Sequence, residues 1–106
     1  MAAEDKVTAK GASGAQHDFA VYPWGTTFSA VGGLYLVLKK QLTGNYDLLY
    51  VGQTGDLSER FDHHHKQPSF DRHGKTHIAV KGEGVASTRL TIEADLIRSY
   101  QPVCNG

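Results

Sequence analysis

The stretch Gly33-Leu-Tyr-Leu-Val-Leu-Lys-Lys-Gln-Leu-Thr-Gly-Asn-Tyr-Asp-Leu-Leu-Tyr-Val-Gly52 decides the fold. Leu34 to Lys39 and Asp47 to Gly52 are rich in Leu, Val and Tyr, and Leu42-Thr43-Gly44-Asn45 between them supplies turn formers,. The pattern predicts a β-hairpin. Antiparallel pairing then brings Tyr35, near the start of one strand, to Tyr50, near the end of the other. Tyrosine has high β propensity in its own right, so the pair alone reads first as an ordinary strand feature.

Downstream, Asp56-Leu57-Ser58-Glu59 places a capping acid three residues before a glutamate, which predicts a helix from Asp56 to about His65,. Leu57 and Phe61 would face the core, with Arg60 and His64, four apart, on one face. A guanidinium fork suits a phosphate, and an imidazole suits proton transfer near neutral pH; a solvated helix face gives the same two residues. Gln67 to Lys75, with Pro68 and Gly74, reads as a loop, and Thr76 to Val80 as a third strand before Lys81-Gly82-Glu83-Gly84,. From Ser87 the chain is helical, with Leu90, Ala94, Ile97 and Tyr100 as the core-facing stripe, ending before Pro102. Glu93 falls inside that stripe, where a carboxylate is costly unless paired or bound to a cation. Asp95 is expected to point elsewhere as a solvated charge.

Upstream, residues 1–16 hold almost no large apolar side chain and read as a disordered tail, leaving a single domain over 17–106,. Phe19, Val21, Tyr22, Trp24 and Phe28 form an aromatic lead-in whose area covers the core. The chain has 106 residues, enough for one domain, and 11 basic residues balance 11 acidic ones, so any nucleic-acid contact must be local,. Cys104 is the single cysteine, and no apolar run matches a membrane span or a signal peptide; a cytoplasmic protein without membrane contact is the expectation,.

Taken in order, Gly33-Leu34-Tyr35, Tyr50-Val51-Gly52-Gln53-Thr54, Asp56-Leu57 with Arg60, Ile92-Glu93-Ala94-Asp95-Leu96-Ile97, and Gln101-Pro102 with Asn105 resemble the catalytic domain of the GIY-YIG nuclease superfamily. Leu34 and Val51 stand at the two central isoleucines. The resemblance covers about Val31 to Asn105, and its end is similar to the nuclease domain of the bacterial nucleotide-excision-repair incision subunit. It implies an α/β (α+β) domain, a small three-stranded antiparallel sheet flanked by helices in the order hairpin, helix, strand, helix. It also implies metal-dependent hydrolysis of DNA phosphodiesters, in repair or recombination, with one Mg2+ or Mn2+ held by Glu93. Arg60 would bind the scissile phosphate, Tyr50 and Asn105 would bond phosphate or ordered water, and Gly33, Gly52, Gln53 and Lys66 would lie along the substrate path. The general base would be Tyr35 or His64, and the imidazole starts closer to the required pKa. Gln53 stands where many members carry a lysine, which weakens the phosphate site. With no appended DNA-binding domain, the chain is expected to cut by DNA structure or to rely on a protein partner for targeting.

Two other classes fit parts of the chain. A module of the same fold that binds nucleic acid without cutting is favoured by Gln53 and the neutral charge, and a protein-interaction domain by the aromatics around Trp24. A zinc site from His63-His64-His65 with His73 and His77 is disfavoured, because adjacent helical histidines point in different directions and no cysteine pair accompanies them.

Overall fold

The structure, a computed structural model, describes residues 3–59 and 66–105. Its centre is the hairpin of β3 (Gly33–Lys40) and β4 (Tyr46–Thr54), in which Tyr35 pairs with Gly52 and Val37 with Tyr50. Gly44, at φ +95°, makes the turn between them, a conformation that other residues rarely adopt,. A register shift between Val37 and Leu38 adds one residue to β4,. β5 (His77–Gly82) pairs with the other edge of β3, β2 (Gln16–Pro23) pairs with β5, and β1 (Asp5–Lys10) pairs with β2.

The architecture corrects the three-stranded sheet flanked by helices that the sequence led us to expect. The sheet has five antiparallel strands in the order β1-β2-β5-β3-β4, curled as a half-barrel, with one long helix, α2 (Ala86–Tyr100). The Tyr46 hydroxyl donates to the Asp5 carboxylate at 3.1 Å, joining the two outermost strands and closing the curl.

The added strands come from the lead-in and from the segment expected to be a disordered tail. In β1, Val7 and Ala9 alternate inward while Lys6, Thr8 and Lys10 face water,. The turn to β2 closes with the Gly11 N–H donating to Ala15 O at 2.8 Å.

Two further segments depart from expectation. Gln67–Arg72, expected as loop, is a short helix α1 with Pro68 in its first turn, where the missing N–H costs nothing, and with Phe70 buried beneath it,. At the start of the helix expected from Asp56 to His65, the Asp56 carboxylate accepts the Ser58 N–H at 2.8 Å in a turn. Arg60, Phe61 and His64 lie outside the described residues.

Both faces of the sheet are covered. On the inner face, Phe19, Val21, Leu34, Leu36, Leu38, Val51 and Ala79 pack with Ile92 and Leu96 of α2. On the outer face, Tyr35, Val37, Leu49 and Ile78 pack with Phe70, Cys104, Trp24 and Phe28.

The buried side of α2 is Arg89, Ile92, Asp95 and Leu96, so the expected stripe is turned by about one residue, and Leu90, Ala94 and Tyr100 are exposed. Asp95, expected to be solvated, is 9% exposed and accepts the Ser13 N–H at 2.9 Å and its hydroxyl at 2.7 Å. These bonds hold its carboxyl below the usual range,. They also tie the β1–β2 turn to the helix.

Candidate functional site at the edge of β4

As an outermost strand, β4 would present unpaired backbone groups, which normally invite another chain,. Here the C-terminal part of the chain occupies them. The Val51 N–H donates to Asn105 Oδ1 and Asn105 Nδ2 donates to Val51 O, both at 2.9 Å, so the amide imitates a neighbouring strand. Two residues on, the Gln53 N–H donates to the Glu93 carboxylate.

From the outer face, Tyr35 and Tyr50 reach the same edge. Their rings lie 6.0 Å apart at 30°, and their hydroxyls share a hydrogen bond. Tyr50 is backed by Phe70 at 5.3 Å, and Phe70 by Trp24 at 6.1 Å. Gly52 makes the arrangement feasible, because a Cβ there would run into the Tyr35 ring and hydroxyl,.

The electrostatics follow from burial and from the shared acid. Burial pushes Glu93 above the ordinary carboxylate range, opposed by the Gln53 N–H,. Burial raises Tyr35 well above the usual phenol range, with Tyr50, Glu93 and Glu59 adding to it, and burial and Glu93 raise Tyr50. Both phenols therefore stay protonated at neutral pH and act as hydrogen-bond donors.

Of the residues singled out in sequence, Tyr35, Tyr50, Gln53 and Glu93 converge here. Asn105 is adjacent, with each end of its amide bonded to Val51. Gly33 and Gly52 are buried against neighbouring side chains, Gly33 beneath Leu57. Lys66 stands at the start of α1, one turn from Phe70. Arg60 and His64 lie outside the described residues.

Glu59, read in sequence only as part of a helix cap, and Arg89, not singled out there, belong to the neighbourhood. Arg89 sits one turn before Glu93 on α2; its Nε donates to Gln53 Oε1 at 3.0 Å and its Nη1 to Glu83 O at 3.0 Å. The four-residue spacing from Glu93 is the signal that points to it.

Among the described residues no three His, Cys, Asp or Glu side chains cluster as a metal cage. His77 is engaged by Glu4 at 2.9 Å and Thr76 at 2.7 Å. Glu93, a lone and partly desolvated carboxylate, fits a hard cation that keeps most of its water, and does not fit structural zinc.

No protein-family model matches the chain, and neither a curated protein nor a solved structure matches it. Among the described residues no helix is long and apolar enough to cross a membrane.

Proposed function

We propose that the protein is a metal-dependent DNA endonuclease of the GIY-YIG type whose active centre lies at the edge of β4. The observation that carries this reading is Glu93, a carboxylate kept partly from water and held by the Gln53 N–H beside two protonated tyrosines. Glu93 would hold one Mg2+ or Mn2+. A bound cation supplies Lewis acidity at a phosphate oxygen. Tyr50, the more accessible phenol, would donate to a phosphate oxygen or to the attacking water, and Tyr35 would fix Tyr50 through their shared bond,. Arg60 is assigned the scissile phosphate and His64 the proton of the attacking water. With zero net charge, the chain would rely on DNA structure or on a protein partner for targeting, in repair or recombination,. The buried free thiol of Cys104 suits a reducing compartment such as the cytoplasm,.

The test is cleavage of supercoiled plasmid and of branched and flapped oligonucleotides, with and without Mg2+ or Mn2+. Native protein should nick only with metal, and Glu93→Gln should abolish nicking while still binding DNA. Folded native protein that cuts none of these with either metal would sink the reading.

A further inference from the structure

Arg89 is a costly placement. Its side chain belongs to a residue only 9% exposed, yet among the described residues its two acceptors are neutral, the Gln53 amide oxygen and the Glu83 carbonyl. Among the described residues no carboxylate is hydrogen-bonded to this guanidinium, and a buried charge so placed is stabilised when an anion arrives beside it,. The chain also makes room for it: a Cβ on Gly32 would fall against Nη1.

The guanidinium has a second effect. It has donors and no acceptor, so the Gln53 amide must turn its oxygen to Arg89 and its NH2 away from it. That NH2 has no acceptor among the described residues. The Gln53 backbone N–H is held by Glu93, one turn along the same helix. One helix therefore fixes both ends of Gln53, and the side chain is left with two oriented donors beside a buried cation.

We propose that Gln53 and Arg89 form a phosphate-holding pair: the Gln53 NH2 donates to a non-bridging oxygen of a phosphodiester, and Arg89 is the positioning residue that sets the amide and supplies the balancing charge. The pair rests on the reading of the β4 edge as a phosphodiester site.

The experiment uses the full chain, 15N-labelled, titrated with inorganic phosphate while the side-chain NH2 signals of Gln53 are followed. A matching titration of labelled flap DNA in Ca2+ measures affinity, with cleavage assayed separately in Mg2+ and Mn2+. Phosphate should shift the Gln53 signals in native protein. Gln53→Glu is the decisive variant, since it creates an ion pair with Arg89 that preserves or raises thermal stability while replacing the donors by a negative charge. It should weaken DNA binding by about tenfold or more. Arg89→Lys should keep part of both the phosphate response and the DNA affinity, and Arg89→Met neither.

An unmoved Gln53 signal in native protein, or a folded Gln53→Glu that binds DNA as native does, overturns the pair even if the native enzyme cuts DNA. A Gln53 response to phosphate that Arg89→Met abolishes, in a protein that cuts nothing, upholds the pair and removes the nuclease reading.

Discussion

At the residue scale, Glu93 ties stability to chemistry. Because folding raises its pKa, its protonated form favours the native state; that contribution is complete below the unfolded pKa and is lost as pH rises through the folded one,. At neutral pH the ionised Glu93 is therefore a cost, and Glu93→Gln, which keeps an acceptor for the Gln53 N–H, should raise the melting temperature. The gain should be below about 1 kcal/mol for a partly exposed group, and should vanish in acid. Melting curves at neutral and acid pH check this, and stabilisation by Mn2+ should appear in native protein but not in Glu93→Gln. Gly52 is the steric counterpart. Gly52→Ala should cost roughly 1–3 kcal/mol in urea unfolding, because the new methyl must displace Tyr35 from a packed site,. The tyrosines and Glu93 were legible in the sequence because their types and spacing are unusual together. Arg89 was not, because a helical arginine ordinarily reads as surface, and only the fold shows it buried among neutral acceptors.

At the element scale, regular apolar runs were readable and weak alternation was not. The hairpin of β3 and β4 carries large residues on both faces, whereas β1 signals itself with Val7 and Ala9 alone, hidden in a composition that resembles a disordered tail. The stripe on α2 was misplaced for a related reason: its buried side includes two charged residues, Arg89 and Asp95, each hydrogen-bonded to groups outside the helix that a periodicity count cannot see. Asp95 makes a prediction here. Its lowered pKa means that its hold on Ser13 is present above the usual carboxylate range and is lost as pH falls through the folded value,. Asp95→Ala should speed amide exchange at Ser13 and in the β1–β2 turn near neutral pH. The difference from native protein should shrink in acid. Exchange rates equal to native at neutral pH would refute the role.

At the scale of the whole molecule, five strands curl until the outermost two touch through Tyr46 and Asp5, and α2 spans the inner face. Deleting residues 1–15 should remove the partner of β2 and expose Phe19, costing several kcal/mol by the burial scale and lowering the urea midpoint sharply,. A truncated chain as stable as the native one would show that β1 is dispensable. Both edges of the sheet are finished by residues late in the chain. Asn105 and Glu93 occupy β4, while Tyr100 accepts the Lys10 N–H at 3.0 Å and Ser99 donates to Lys10 O at 2.8 Å on β1. On the ribosome, therefore, strands made early must wait with open borders until residues 99–105 emerge. A nascent chain stalled before that point would offer two adhesive edges to its neighbours, and would depend on chaperones in a way a chain with residues 99–105 in place does not.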